Sequence, residues 1–368
     1  MLTTAASAFL LKGRKLKNRL VFPPITTAYA TNMGEVTSGL LDYYSRISQG
    51  GVGTVIAEAT VVNEAGRLTP FSLGIWDEHF ITGLSRLAER IMSAGTAAYL
   101  QLAHAGPRSF AAQVALSASD IPFIRSQQTR AMTVSEIHRT VEEFVNAAGR
   151  ARKAGFAGVE LHGAHFYLLS SFLSAITNAR NDEYGGSTEG RTRIVSEIIQ
   201  GIKQVAGEDF AVICRFNGQE LGEGGIGIDE AKQIALRLEE AGTDCLHISA
   251  YHLPVPALDG HVAVPATPIP GKDDPPGVFV GLAAEIRSTV SVPVIAVGKI
   301  NSGPLAEQIL AEGKCDLVAM GRPLIADPEF SKKLLENEEA SDCLFCRGCI
   351  NSLRFGKMVC SVNSDLPL

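Results

Sequence analysis

Residues Gly158–Arg191 read GVELHGAHFYLLSSFLSAITNARNDEYGGSTEGR, a short apolar run followed by a dense set of polar side chains. The run Gly158–Leu161 lacks strict alternation, which is typical of a parallel strand buried on both faces. His162, His165 and Tyr167 follow it within six positions. Two imidazoles and a phenol offer hydrogen-bonding groups near neutral pH at one place. The stretch therefore predicts a buried strand that ends at a site, and a metal site, the surroundings of a nucleophile and an acid–base site all remain open.

Apolar runs of the same kind recur along the chain and alternate with longer amphipathic segments. Eight strand–helix units in one series predict a single (β/α)8 TIM barrel of the α/β class. The rival fold is a doubly wound sheet, but no early G-x-G-x-x-G follows a strand. The eight runs are Leu20–Ile25, Gly53–Thr60, Ala97–His104, Gly158–His162, Ala211–Phe216, Cys245–Ala250, Val292–Gly298 and Leu317–Gly321.

The segments between these runs have helical spacing, and two of them have a candidate capping residue. Ser135 precedes Glu136, and Ser302 precedes a Gly-Pro pair. Gly13-Arg14 lies between two short runs and predicts an N-terminal hairpin that closes the lower end of the barrel. The helical segments are Glu78–Ser93, Ser135–Lys153, Thr192–Val205, Asp229–Ala241 and Pro304–Glu312.

Two connections are longer than a barrel needs, Gly106–Val134 after the third strand and Tyr251–Val278 after the sixth. The second carries seven prolines between Pro254 and Pro276, which favours a stiff, irregular segment. Long loops after barrel strands build substrate pockets, so both connections are candidate lids.

The composition is that of an ordinary globular protein, with 46% hydrophobic and 20% charged residues. A net charge of −6 without a basic block disfavours nucleic acid as a partner. The N-terminus lacks the basic-then-apolar order of a signal peptide, and no apolar run is long enough to span a bilayer. We therefore expect a cytoplasmic protein without membrane contact, and we expect it to form a homo-oligomer.

The carboxyl ends of parallel barrel strands meet at one mouth, where the polar strand ends of this chain would gather. The set is rich in hydrogen-bonding groups and poor in carboxylates, which gives little support to two-carboxylate or metal-assisted hydrolysis. Glycines at the last two strand ends, with Arg322, match the usual phosphate site of the fold. Arg215 suits an anionic ring edge because a guanidinium is always charged. Together with the amide of Gln101, these groups predict a bound cofactor rather than a small sugar.

The segment from His162 onward resembles the signature of the old yellow enzyme, or NADH:flavin oxidoreductase, family. KNRLVFPPIT at Lys17–Thr26, QLAHAG at Gln101–Gly106, VGKINSG and MGRPLIADP support the resemblance, which covers nearly the whole chain. It implies an FMN-binding barrel that passes hydride through the flavin. The residues that it implies as cofactor contacts are Pro24, Ile25, Thr26, Ala57, Gln101, His162, Arg215, Gly298, Lys299, Gly321 and Arg322.

The same resemblance assigns roles in catalysis. His162 and His165 would hydrogen-bond a substrate carbonyl oxygen, where hydride addition to an enone builds negative charge. Tyr167 would donate the proton to the α-carbon as a general acid. Thr26 would donate to the C4 oxygen of the flavin. The sequence departs from the family pattern at Phe166, where a glycine is usual, so we expect this ring to narrow the pocket or alter the presentation of Tyr167.

Four cysteines near the end form a C-x2-C-x2-C-x10-C array of Cys343, Cys346, Cys349 and Cys360. By spacing alone, a structural zinc, a [4Fe–4S] cluster and unused thiols are all open. The segment CLFCRGCINSLRFGKMVCSVN resembles the cluster segment of the 2,4-dienoyl-CoA reductase and trimethylamine dehydrogenase branch, which implies [4Fe–4S]. In that branch a histidine after the sixth strand assists the proton donor, and His252 occupies its place. We expect a barrel at 1–340 and a cysteine-rich tail at 341–368.

The resemblance implies an FMN-dependent ene-reductase acting on a C=C bond conjugated to a carbonyl or thioester. NAD(P)H or a separate electron-donor protein would reduce the flavin, because the relatives continue into a dinucleotide-binding region and this sequence ends at Leu368. The alternatives are a flavin-dependent amine dehydrogenase or demethylase, a non-redox barrel lyase with a zinc tail, and an electron-transfer or scaffold subunit without a working flavin.

Overall fold

The computed structural model describes residues 2–120, 128–252, 255–256, 262–263, 269–336 and 341–366. Eight parallel strands form one closed barrel, because the first strand pairs with both the eighth and the second. Each strand overlaps one of the eight predicted runs, so the predicted TIM barrel is confirmed. The strands are Leu20–Phe22, Thr54–Val61, Ala97–Ala103, Gly158–Gly163, Ala211–Leu221, Cys245–His252, Val294–Ala296 and Leu317–Ala319.

Helices follow the strands on the outside of the barrel and bury one face each. All five predicted helices are present, and Ser302 caps its helix by accepting from the backbone N–H of Leu305. The cap at Ser135 is wrong: the helix begins at Val134, and Thr133 forms a capping box with Glu136. The helices after the strands, in chain order, are Ser38–Gln49, Phe80–Met92, Val134–Lys153, Thr188–Ala206, Ile228–Glu240, Val280–Arg287, Gly303–Ala311, Arg322–Ala326 and Phe330–Leu335.

Shorter elements decorate the loops and the tail. Leu73–Gly74 extends the sheet beside the second barrel strand. In the first long connection, Val114–Ser117 pairs with Gln128–Ala131, and in the second, Val255–Pro256 pairs with Val262–Ala263. The remaining short elements are the helices Leu168–Leu173 and Gly348–Asn351 and the 3-10 turns Glu64–Gly66, Gly106–Arg108 and Ser352–Phe355. Twelve of the 28 residues in the second candidate lid, Tyr251–Val278, lie outside the described residues.

The N-terminal hairpin closes the lower end of the barrel, as predicted. Phe9–Leu11 pairs antiparallel with Arg14–Leu16 through a turn in which Gly13 has φ 76°. Leu11 and Leu16 are buried in an apolar layer that fills the lower barrel, with strand residues such as Tyr99. Hydrophobic side chains in this layer exclude water from one end, so the barrel opens only at the strand carboxyl ends.

The cysteine-rich tail packs against the barrel rather than standing apart from it. Met358 is fully buried, its N–H donates to Thr27 O at 2.8 Å, and its carbonyl accepts from the Tyr29 hydroxyl at 2.6 Å. The predicted division at residue 340 falls beside the undescribed residues 337–340, so it stays a prediction. Within the described ranges, no helix combines the length and the apolar character needed to cross a membrane.

Candidate active site

A cavity of about 360 Å³ opens at the carboxyl ends of the strands. Most residues predicted from the strand ends line it, and they come from six different strands or the loops that follow them. No carboxylate is among the described residues that line the cavity, whereas four cationic side chains are. The predicted residues in its wall are Pro24, Ile25, Thr26, Gln101, His162, His165, Tyr167, Arg215, Gly298, Lys299, Gly321 and Arg322.

Several buried polar atoms at this cavity have no partner in the described part of the chain. They are Arg215 Nε, His162 Nδ1 and Arg322 Nη1. The two arginine nitrogens are donors only, and a buried donor without an acceptor costs roughly 1–3 kcal/mol. The cavity is therefore built for an occupant with several acceptor atoms and negative charge.

A fully buried layer of polar side chains lies between the apolar lower barrel and the cavity. Gln101 donates its amide to Glu160 at 2.8 Å, and Glu160 lies 2.7 Å from His247 Nδ1. Burial lowers the pKa of His247 even though Glu160 acts in the opposite direction. The neutral imidazole thus donates from Nδ1 to the carboxylate, which fixes the amide of Gln101 at the cavity floor.

The loop after the fourth strand places the two histidines and the tyrosine side by side. His165 and Phe166 have left-handed backbone conformations, with φ 63° and 55°, which are uncommon for residues with a side chain. The ring of His162 lies 5.0 Å from that of His165 and 4.8 Å from that of Tyr167, centroid to centroid. The sharp turn therefore brings three predicted catalytic groups into one corner of the cavity.

The hydrogen bonds of these histidines differ from the expectation of two free donors. His165 Nδ1 lies 3.4 Å from His162 Nε2, and His165 Nε2 lies 2.8 Å from Ser249 Oγ. Both ring nitrogens of His165 are thus engaged, and His162 Nδ1 is the unpartnered one. Burial, followed by the charge of Arg215, holds the pKa of each imidazole well below its usual range, so both rings are neutral near pH 7.

Arg108 is a cavity residue that the sequence reasoning did not select. Its Nη1 donates to the carbonyl of His165 at 2.8 Å and to the Tyr251 hydroxyl at 3.1 Å. Its Cζ lies 4.8 Å from the centre of the Tyr167 ring, in cation–π range. Arg108 lies two residues after the QLAHAG motif, and this proximity to the motif was the available signal in the sequence. The guanidinium fixes the loop that carries the histidines and adds positive charge beside Tyr167.

The ends of the last two strands form the other side of the cavity, where the phosphate was predicted. A Cβ on Gly298 would meet the Phe279 ring at 2.8 Å, and φ is 122° there, so only glycine fits. Gly321 directly precedes the short helix that begins at Arg322. Lys299 lines the cavity, but its Nζ donates to the carbonyls of Lys272 and Asp274.

Two sequence expectations meet a different outcome in the structure, and a third concerns a side chain outside the described residues. Ala57 lies inside the second strand and does not line the cavity, whereas Ala59 does. Phe166 does not narrow the pocket: its side chain is fully buried and packs against the Tyr251 ring, with centroids 5.1 Å apart. His252 ends the sixth strand, but its side chain lies outside the described residues.

The four tail cysteines line a second, much smaller cavity together with Phe345 and Arg347. Cys349 also lines the large cavity, so the two spaces adjoin. The Phe345 ring lies between them and has Arg322 Cζ at 4.8 Å from its centre. In the described chain, no three His, Cys, Asp or Glu side chains converge closely enough to bind one metal ion. The predicted ligands are thus gathered around one cavity beside the barrel mouth.

Fold and site together define a (β/α)8-barrel oxidoreductase with a mouth built for an anionic, acceptor-rich cofactor. The sequence profile of the NADH:flavin oxidoreductase / NADH oxidase family matches residues 8–340. The chain therefore belongs to that family.

Relatives and solved structures agree with this assignment. An NADPH dehydrogenase from Halalkalibacterium halodurans is 37% identical over 329 residues, which cover 89% of this chain and 92% of that protein. An NADH oxidase from Thermoanaerobacter brockii is 40% identical over 360 residues, 95% of this chain, but the chain spans only 54% of its length. The solved 2-naphthoyl-CoA reductase in complex with 2-naphthoyl-CoA superimposes with a TM-score of 0.91 at 27% identity, covering 100% of this chain and 58% of that one.

The residues present fit FMN, the flavin that the resemblance implies. Arg215 and Arg322 carry unpartnered buried donors for its acceptor atoms, and Gly298 lines the cavity without a side chain. Gln101 and Arg215 would hold the ring, and Gly321 with Arg322 would hold the phosphate.

Proposed function

We propose that this chain is an NAD(P)H-dependent ene-reductase that reduces a C=C bond conjugated to a carbonyl or thioester. When bound, FMN supplies the hydride donor for this chemistry. The chain's own residues would bind and polarise the carbonyl and deliver a proton.

One observation carries the proposal, the unpartnered Nδ1 of His162 in the cavity wall beside Tyr167. With the single proton of the neutral ring on Nδ1, this nitrogen would be a donor suited to a carbonyl oxygen on which negative charge grows. A buried donor in a water-poor site stabilises such charge by about 2.7–4 kcal/mol in other enzymes. The neighbouring imidazole of His165 would orient this donor.

The proton would come from Tyr167, whose ring lies next to that of His162. A phenol within reach of the α-carbon can act as general acid when the carbonyl oxygen is held by a donor. The guanidinium of Arg108, 4.8 Å from the ring centre, would stabilise the negative charge left on the phenol oxygen. Thr26, in the cavity wall, would donate to the flavin as the resemblance implies.

The charge of the cavity favours a carbonyl substrate over the cationic amine of the alternative function. Arg215 and Arg322 would face the anionic cofactor, but Arg108 lies beside Tyr167, so an ammonium group bound there would meet repulsion. Arg108 already occupies the aromatic faces of Tyr167 and Tyr251 that a methylated amine would need. Membership of a flavin oxidoreductase family likewise favours redox chemistry over a lyase or a scaffold.

We also propose that the tail cysteines bind a [4Fe–4S] cluster that exchanges electrons with the flavin site. All four line one cavity, and Cys349 lines the barrel cavity as well. Four cysteine thiolates are the usual ligand set of a [4Fe–4S] cluster. Either NAD(P)H or a separate electron-donor protein would then supply electrons. Replacing Cys360 by serine should lower iron and acid-labile sulfide together; stoichiometric zinc in the wild-type protein would contradict the cluster.

Product analysis tests the ene-reductase directly. Purified holoenzyme with NADPH or NADH is incubated anaerobically with 2-cyclohexenone, trans-2-hexenal or trimethylamine. We expect the saturated ketone and aldehyde, and no demethylated amine. Dimethylamine formation without alkene reduction would establish the oxidative alternative instead.

A further inference from the structure

Ser249, at the cavity end of the sixth barrel strand, contacts a catalytic imidazole but carries no role in the function proposed above. Its Oγ lies 2.8 Å from His165 Nε2 and 3.5 Å from Arg215 Nη2. The residue is buried, with 3% of its surface exposed, and it lines the cavity. A hydroxyl in this position is both donor and acceptor, so it can set the direction of the hydrogen bonds around it.

The contacts continue beyond Ser249 as one chain of hydrogen bonds. It runs from Arg215 through Ser249 and His165 to His162, with His165 Nδ1 at 3.4 Å from His162 Nε2. At its end, His162 Nδ1 is buried and has no partner among the described residues. We use the term histidine chain for these four residues.

The direction of the hydrogen bonds in the histidine chain follows from which groups can donate and which can accept. Arg215 only donates, so Ser249 Oγ accepts from it, and the adjacent positive charge polarises the hydroxyl to donate to His165 Nε2. A neutral imidazole has one donor and one acceptor nitrogen. If His165 Nε2 accepts, its Nδ1–H donates to His162 Nε2, and the remaining proton of His162 is on Nδ1.

We propose that Ser249 is a positioning residue that fixes the tautomers of both histidines, so that His162 presents Nδ1–H to the substrate oxygen. The role of the Nδ1–H donor rests on the proposed ene-reductase function, whereas the hydrogen-bond geometry of the histidine chain does not depend on it. In the opposite sense, His162 would present a lone pair at Nδ1, which repels a carbonyl oxygen. One hydroxyl thus decides whether the cavity offers a donor or an acceptor at this point.

Removal of the Ser249 hydroxyl should therefore change the tautomers of the two imidazoles without a large change in side-chain packing. In Ser249→Ala, His165 Nε2 loses its donor, and the rings can reverse their tautomers or exchange between both. Ser249→Thr keeps a hydroxyl on the same carbon and serves as the rescue. Ser170→Ala is the matched control, because this buried serine accepts from the Phe166 N–H in the same loop but touches no imidazole.

The tautomers are read by NMR of the holoenzyme with 15N-labelled histidine, since the protonated and unprotonated ring nitrogens differ widely in chemical shift. Signals are assigned by single His162→Asn and His165→Asn replacements. We expect Nδ1–H for both rings in the wild type, Ser249→Thr and Ser170→Ala, and altered or averaged tautomers in Ser249→Ala. Nε2–H at either ring in the wild type, or unchanged tautomers in Ser249→Ala, overturns the proposal.

Kinetics give a second readout. Loss of one direct oxyanion donor typically costs a factor of about 10²–10³ in kcat, and Ser249 acts through a further residue, so we expect about a tenfold fall in kcat for 2-cyclohexenone in Ser249→Ala. Ser249→Thr should restore most of it. If the tautomers behave as expected but the wild type reduces no enone, the ene-reductase function fails and the histidine chain stands. If the wild type reduces enones and Ser249→Ala matches it in kcat, the histidine chain fails alone.

Discussion

Replacement of Tyr167 by phenylalanine removes one oxygen from the cavity and leaves the packing of the ring in place. The ring keeps its contact with His162, centroids 4.8 Å apart, and its place beneath Arg108. Among the described residues, no hydrogen bond joins the Tyr167 hydroxyl to a protein group, so its removal leaves none of them unpaired. The variant therefore isolates proton donation from structural effects.

The size of the effect follows from the role of the hydroxyl. A positioned general acid typically contributes a factor of about 10²–10⁴ to the rate. We expect the rate of alkene reduction in Tyr167→Phe to fall about 10²–10³-fold, equivalent to roughly 3–4 kcal/mol of barrier. Reduction of the flavin by NADPH requires no proton from this group and should change less than threefold.

Stopped-flow absorbance separates the two half-reactions. Oxidised enzyme is mixed anaerobically with NADPH, and in a second experiment reduced enzyme is mixed with 2-cyclohexenone. Tyr251→Phe is the matched control, because it removes the other phenol of the cavity without the contact to His162. Equal loss in both half-reactions of Tyr167→Phe, or an equal effect of Tyr251→Phe on alkene reduction, would refute the assignment of Tyr167 as proton donor.

Four further predictions concern the cofactor, pH and stability. Arg215→Gln should purify with less than half of the wild-type flavin, because the replacement removes a buried charged donor that would bind the flavin. Full flavin occupancy in the absorbance spectrum of this variant would contradict that role. Because burial keeps His162 and His165 neutral, the alkene-reduction rate should show no break near pH 6.5 between pH 6 and 8, and a break there contradicts neutral rings. Burial raises the pKa of Glu58 to about 7, so the protonated carboxyl contributes fully to stability below about pH 4.5, and this contribution is lost as the pH rises through 7. In urea unfolding, the free energy of unfolding of Glu58→Gln should exceed that of the wild type by about 2–3 kcal/mol at pH 8 and by little at pH 5. Leu16 is fully buried on the inner face of the N-terminal hairpin, so Leu16→Ala should lower the unfolding free energy by about 2–5 kcal/mol; a loss below about 1 kcal/mol would contradict its place in the lower barrel layer.

The barrel could be predicted from sequence because its strands are buried on both faces and separated by amphipathic helices. Their apolar runs need no tertiary information to be recognised. Strand ends converge by geometry, so Gln101, Arg215 and Arg322 could be assigned to one mouth before any coordinates existed. The specific motif around His162 then predicted the flavin through resemblance.

The remaining details depend on local irregularities that a pattern does not contain. The second strand changes register between Ala57 and Thr60, and this irregularity explains why Ala59 rather than Ala57 reaches the cavity. The left-handed turn at Phe166 directs its side chain into the core against Tyr251 rather than into the cavity. Arg108 lies in the turn Gly106–Arg108 and not at a strand end, so the convergence of strand ends did not predict it.

The same limit applies to hydrogen-bond partners. Ser249 ends no run in the sequence reading and has no polar neighbour that would mark it. Its importance comes from the 2.8 Å contact to His165, which exists because the fourth and sixth strands flank the fifth strand at the mouth. A side chain that acts through another residue is recognised by its distance to that residue, and a single sequence does not give distances between residues on different strands.

The central claim is that electrons leave this site toward an activated alkene. A single-turnover experiment tests it most directly: holoenzyme is reduced anaerobically with one equivalent of NADPH and mixed with 2-cyclohexenone or with trimethylamine, while the flavin absorbance near 450 nm is followed. The absorbance should return with the enone, in step with one equivalent of cyclohexanone, and should not return with the amine. Bleaching of the oxidised enzyme by trimethylamine, with no response of the reduced enzyme to the enone, would contradict the claim.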